Sequence, residues 1–157
     1  MGKLWVLVIM VGLVGVFHPA VAKTTFLGND GLQADARRGF EEILGLWRDG
    51  RYGDVYERTI VGGKLSKEEF VGRLAAAPLR PACCWEQLQD VKVTVKGEGA
   101  VLMRAKLGFD GRGATTFRTR AFKLVKEEGV WQISQAEILS LTGTAKKGRS
   151  SKSRKKR

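Results

Sequence analysis

Histidine is almost missing from this chain of 157 residues; His18 is the single one. Cysteine occurs twice, at the adjacent positions Cys83 and Cys84, and proline three times. No apolar run is long enough to span a bilayer. The stretch Leu4–Phe17 covers 14 residues, against about 20 for a spanning helix. Each shortage removes a class of function. Without histidine beyond position 18, Ser-His-Asp and Cys-His catalysis have no base in the body of the chain. Two neighbouring sulfurs lack the spacing of a zinc site, and no metal or cofactor is expected. The one asparagine, Asn29, sits in Asn29-Asp30-Gly31 and is not a glycosylation acceptor.

What is present begins with an address. Lys3 precedes the apolar stretch, and His18-Pro19 is followed by Ala20-Val21-Ala22. A basic start, a short apolar core and a small-x-small site form the three parts of a secretory signal. The expectation is cleavage after Ala22 and a secreted or periplasmic protein, whose mature form has lost His18. Lys23, and not a cysteine, stands directly after the cleavage site, so no lipid-anchored form is expected. The alternative is an uncleaved membrane anchor, which would bury His18 and Pro19.

The net charge of +12 is uneven. Lys146, Lys147, Arg149, Lys152, Arg154, Lys155, Lys156 and Arg157 carry eight of those charges, and residues 23–143 carry only +3. The segment Lys146–Arg157 has no apolar side chain with which to offset ordering entropy, and reads as a disordered basic tail from 144 to 157. In an exported protein its partner would be anionic lipid, acidic envelope polysaccharide or another protein; nucleic acid is disfavoured. Each basic residue near an anionic surface contributes about 1 kcal/mol, screened by salt. The alternative is a solvated tail without a dedicated partner.

Cys83 and Cys84 stand in Pro81-Ala82-Cys83-Cys84-Trp85. An oxidising compartment allows disulfides. Three states are open: a vicinal disulfide, two buried thiols, or one thiol bridging to a second chain.

Hydrophobic period orders the rest. Residues 23–31, rich in glycine and Asx, read as a flexible lead-in to a domain spanning 32–143. Phe40, Ile43, Leu44 and Trp47 form one apolar face of a helix over about 32–48, stopped by Asp49-Gly50. Tyr52, Val55, Tyr56 and Thr59 mark a short second helix. Ser66 and Glu69 make a capping box for a third, ending at Pro78. After Pro81 the period falls from 3.6 to 2. Val91, Val93 and Val95 alternate with Lys92, Thr94 and Lys96. Val101, Met103, Ala105, Leu107 and Phe109 face one way. Strands over about 115–126 and 130–141 follow, with turns at Gly97-Glu98-Gly99, Asp110–Gly113 and Glu127-Glu128-Gly129. Neither glycine-rich turn is a phosphate loop, because no helix follows it. Three helices and then four hairpin-linked strands predict an α+β fold, with helices packed on one face of a curved antiparallel sheet.

This order, the helix pair around Trp47-Arg48-Asp49-Gly50-Arg51-Tyr52 and the closing hairpin Phe122–Ile133 with its Gly129-Val130-Trp131-Gln132-Ile133 ending resemble the nuclear-transport-factor-2-like superfamily. That superfamily includes ketosteroid isomerase and polyketide cyclases. The resemblance covers about residues 32–141. It implies a cone with a pocket between helices and sheet, and homodimers formed through the exposed sheet face. It implies no single function, because the fold hosts enzymes, binders and dimerisation modules. A cystatin-like fold is the structural alternative.

Two polar pairs fall on apparently inward strand positions. Arg118 and Arg120 share a face with Phe122 and Leu124. Gln135 and Glu137 interrupt the face formed by Trp131, Ile133, Leu139 and Leu141. Together they define a candidate pocket floor, with Glu137 as base and Arg118 or Arg120 as anion anchor. The competing reading is a structural ion pair or a bulge that turns these side chains outward. Trp47, Tyr52 and Tyr56 could line a pocket mouth, but their helical spacing reads as core, as do Trp85 and Trp131. The leading expectation is an exported, non-enzymatic binding or interaction module for an unidentified small molecule or protein. The alternatives are an isomerase or dehydratase using Glu137, and envelope association through the tail. A deep apolar cavity above Glu137 would favour the enzyme; a filled core would favour the module.

Overall fold

The computed structural model describes residues 29–60, 65–111 and 113–143. The predicted signal and basic tail lie outside them. α1 (Asn29–Arg48) is two residues under six turns and begins three residues earlier than its apolar face required. Asn29-Asp30-Gly31 forms its first turn, where Asp30 faces the positive end of the helix dipole. Ala36, Phe40, Ile43, Leu44 and Trp47 make a fully buried stripe at helical spacing. α2 (Tyr52–Glu57) and α3 (Lys67–Ala75) follow. The predicted capping box is present: Ser66 accepts from the Glu69 backbone N–H, and the Glu69 side chain accepts from the Ser66 N–H. α3 closes at Ala76, just before Pro78 restricts the preceding residue.

β1 (Arg80–Pro81), β2 (Leu88–Gly97), β3 (Ala100–Asp110), β4 (Thr115–Glu127) and β5 (Val130–Ile133) form one antiparallel, strongly curled sheet. β3 is central. It pairs with β1 and β2 on one side and with β4 on the other, and β5 lies beyond β4. The predicted α+β architecture is therefore the observed one. The two-residue β1 was not legible, since one ladder step leaves no period to read. Glu128 and Gly129 both have positive φ, +49° and +84°, which makes the β4–β5 connection a type I′ turn.

The last predicted strand is corrected. It ends at Ile133, and Gln135–Leu141 is a helix, α4. Ser134 caps it by accepting from the Glu137 N–H at 3.2 Å. The sequence Ser134-x-x-Glu137 carries that signature. Gln135, Ile138 and Leu141 are buried at a spacing of three, which a strand reading with period two divides between opposite faces.

The side chains of β3 and β4 separate cleanly. Val101, Met103, Ala105, Leu107 and Phe109 turn inward, as do Phe122 and Leu124, all essentially inaccessible to solvent. α1 lies across them. Phe40 meets Phe122 with ring centroids 4.9 Å apart, and Trp47 meets Phe109 at 5.9 Å. Such tilted aromatic pairs add about 0.5–1.5 kcal/mol each beyond burial. Trp131 lies directly on Gly39, where a Cβ would stand 2.5 Å from the indole. Asp35 accepts from Trp131 Nε1 at 2.9 Å and from Lys126 Nζ at 2.7 Å, tying α1 to the β4–β5 end of the sheet.

Candidate functional site

Gln135 and Glu137 lie in α4, Arg118 and Arg120 on β4 reach toward it, and no cavity formed by the described residues is lined by the four together. Arg118 and Arg120 occupy inward positions of β4, opposite Leu107 and Ala105. Arg118 Nη1 donates to the Leu141 carbonyl at 3.4 Å, at the end of α4 where cations complement the helix dipole. Its guanidinium also stands 5.9 Å from the centre of the Phe109 ring. Arg120 Nη1 donates to Ser140 Oγ at 3.4 Å.

Gln135 is buried and pairs with the backbone of Leu65. Its Oε1 accepts from the Leu65 N–H at 3.3 Å, and its Nε2 donates to the Leu65 carbonyl at 3.5 Å. Glu137 has both carboxylate oxygens engaged. Oε1 accepts from the Lys123 backbone N–H at 3.0 Å, and Oε2 accepts from Ser134 Oγ at 2.8 Å. No ion pair joins Glu137 to Arg118 or Arg120 among the described residues. The arrangement fastens α4 to the sheet. Because the segment is helical, the strand-face argument that aimed Gln135 and Glu137 at a pocket floor does not hold.

Among the described residues, the space between helices and sheet is filled by apolar side chains. Phe40, Ile43, Leu44 and Trp47 from α1 meet Met103, Leu107, Phe109, Phe122 and Leu124 from the sheet, and Ile138 and Leu141 of α4 join the same cluster. Trp47 and Trp131 are core, as predicted, and Tyr52 and Tyr56 are half-buried against it. Concavities formed by the described residues lie on the outside. One groove of about 490 Å³ runs between α1 and α2. Its wall is laced with ion pairs, Arg51–Asp54 at 2.6 Å and Arg58–Glu42 at 3.3 Å, which consume the charges a ligand would need.

Cys83 and Cys84 are joined to each other as a vicinal disulfide, and both are exposed. This excludes the buried-thiol reading. Cys84 has φ +59°, the left-handed region that a non-glycine residue rarely adopts. Arg48 Nη1, at the end of α1, reaches Cys83 Sγ at 3.6 Å. The 3-10 turn that follows, Cys84–Glu86, throws Trp85 outward, and the indole is 73% exposed. Trp85 is thus the one aromatic that departs from the core reading. Nothing in its spacing distinguished it, because the turn that exposes it has no period. The same excursion carries the Glu86 carbonyl over Gly108, where any Cβ would collide with it.

The outer face of the sheet is a second surface of note. By register, Lys92 stands beside Arg104, Thr94 beside Leu102, and Gln89 beside Lys106; on the other side, Arg104 faces Ala121, Leu102 faces Lys123, and Lys106 faces Thr119. With Lys96 this places five cations on one face: Lys92, Lys96, Arg104, Lys106 and Lys123. None forms an ion pair among the described residues. No Asp or Glu shares the alternating positions between them. The acids sit at the margins: Glu86 in the turn that passes over Gly108, Asp90 in the edge bulge, Glu98 in the β2–β3 turn, Glu127 at the β4–β5 turn, and Asp110, which accepts from Thr115 Oγ1 at 2.7 Å. Phe117, 41% exposed, lies on this face with Lys106 Nζ 4.5 Å from its ring centre, and Leu102 is 37% exposed. The alternation Lys92-Thr94-Lys96 was visible in the sequence. The five-residue patch was not, because it is assembled across three strands whose register only the fold supplies.

Neither a protein-family model nor a curated protein matches this chain.

Proposed function

We infer that this protein is an exported, non-enzymatic binding module that recognises its partner with its surface and not within its cone. One observation carries this reading: among the described residues, Ile138 and Leu141 of α4 pack into the same core as Phe40, Trp47, Phe109 and Phe122. A catalytic or ligand pocket of the kind implied by the nuclear-transport-factor-2-like resemblance needs that volume open. The carboxylate nominated as a base, Glu137, is held by the Lys123 N–H and the Ser134 hydroxyl, so its lone pairs serve the fold. The signal-like N terminus supports export.

The test uses the buried indole of Trp47 as reporter. A set of steroid-sized apolar and acidic small molecules is titrated against the protein while fluorescence and melting temperature are followed. The expected result is no saturable change. A stoichiometric ligand that shifts the fluorescence and raises the melting temperature, and whose effect is lost in Glu137→Gln, would restore the enzyme reading.

A further inference from the structure

We propose that the outer face of β2, β3 and β4 is a binding site for a linear acidic polysaccharide, a chain of carboxylated or sulfated sugars. The proposal rests on the surface-binding reading above and names the partner class of that surface.

Charge complementarity is the first argument. Lys92, Arg104 and Ala121 form one row across three strands, and Lys106 lies two residues along β3 from Arg104. Neighbouring strands are about 4.8 Å apart, and alternate residues on a strand about 6.8 Å apart. The cations therefore recur at intervals of one sugar unit or so, on a surface without an interposed carboxylate. Five unpaired cations on one face of a small domain repel one another, and an anion-bearing chain relieves that repulsion.

The groups between the cations supply the second argument. Thr94 and Thr119 present hydroxyl groups suited to sugar hydroxyls, Gln89 presents its amide oxygen while its Nε2 donates to the Trp85 carbonyl at 3.3 Å, and Phe117 supplies an aromatic surface beside Lys106. A single-stranded nucleic acid is held by successive aromatics on which bases stack. Among the register positions of this face only Phe117 is aromatic, with a lysine ammonium already over its ring, and Trp85 is exposed beyond the end of the face in the turn that passes over Gly108. A membrane needs apolar side chains to insert, whereas Leu102 and Phe117 are only partly exposed and stand among cations. A second copy of the chain would set five cations against five, and like charges juxtaposed across an interface cost several kcal/mol. The homodimer implied by the family resemblance is therefore not the occupant favoured here.

The experiment compares three full-length proteins on immobilised heparin and on soluble alginate, at salt from 0.05 to 0.5 M. These are the natural chain, a sheet variant (Lys92→Thr, Arg104→Thr, Lys123→Thr), and a tail variant (Lys152→Ser, Lys155→Ser, Lys156→Ser). Threonine is a favourable strand residue, and unchanged circular dichroism verifies folding. Each cation that meets an anion releases roughly one counterion, so the sheet variant should lower the salt slope by about three and the affinity by about tenfold or more. The tail variant should lose less. Loss confined to the tail variant would overturn the assignment of the sheet. So would tighter binding to a thymidine oligonucleotide or to phosphatidylglycerol vesicles than to either polysaccharide. So too would a dimer, measured by light scattering, that the sheet variant dissociates. Each of those results would leave the filled-cone reading standing. A small-molecule ligand inside the cone would instead remove that reading while saying nothing of the sheet.

Discussion

The inner and outer faces of β3 and β4 are built from the same two strands and share every backbone hydrogen bond, yet they do opposite work. Inward, Met103 meets Phe122 and Val101 meets Leu124, and α1 seals them. Outward, Leu102 meets Lys123 and Arg104 meets Ala121, and the side chains remain in solvent. Burial of the first set supplies most of the stability. The second set contributes little to it, because exposed charges gain little from folding. The difference separates what holds the molecule together from what it has available for a partner.

Removing a ring from the inner face should have the largest effect. Phe122→Ala deletes a side chain that is 1% exposed and stacked on Phe40, and should cost about 3–5 kcal/mol, measured by urea unfolding. A loss below about 1 kcal/mol would mean that the inner face collapses easily and is less well packed than described. Next comes the closure of the cone. Ser134→Ala removes the α4 cap and should cost about 1 kcal/mol. Binding of an apolar dye should rise in this variant if α4 is what shuts the interior.

The seam between the faces responds to acid. The hydrogen bond from Lys126, and secondarily that from Trp131, hold the Asp35 carboxyl below its ordinary value, against an opposing effect of burial. A carboxylate whose pKa is lowered by folding stabilises the native state above its unfolded pKa of about 3.9, and the benefit is lost as pH falls through the folded value. Asp35→Asn should therefore flatten the acid limb of the stability curve below about pH 4. An unchanged limb would show that the Lys126 contact is not maintained in solution. The smallest effect should come from the outer face. The sheet variant Lys92→Thr, Arg104→Thr, Lys123→Thr should change unfolding free energy by no more than about 0.5 kcal/mol. A larger loss would mean that the two faces are not as separate as their exposures indicate.

Much of the fold was legible where one period persisted. The α1 stripe, the capping box at Ser66, the Val91–Val95 alternation and the three hairpin turns all express local rules. Reading failed where the period changed within a few residues. Between Ile133 and Gln135 the chain passes from strand to helix, and Leu139 and Leu141 fit either pattern. Only Ser134 with Glu137 distinguished them, and that cap signature carries weight once the strand is known to end. The candidate pocket inherited this error. Residues joined by long-range register, such as Lys92 with Arg104, or Gln135 with Leu65, share no local signal at all.

Glu137 has a further consequence. β5 pairs with only the last four residues of β4, so the long N-terminal part of β4 presents an open edge. Such edges recruit strands from other molecules, and proteins blunt them with charges or coverings. The Glu137 carboxylate occupies the Lys123 N–H, the first donor past the end of β5, while Arg118 and Arg120 reach toward α4 from the positions that follow. Glu137 thus ends the hydrogen-bond ladder at Lys123, a covering of the kind that blunts an open strand edge.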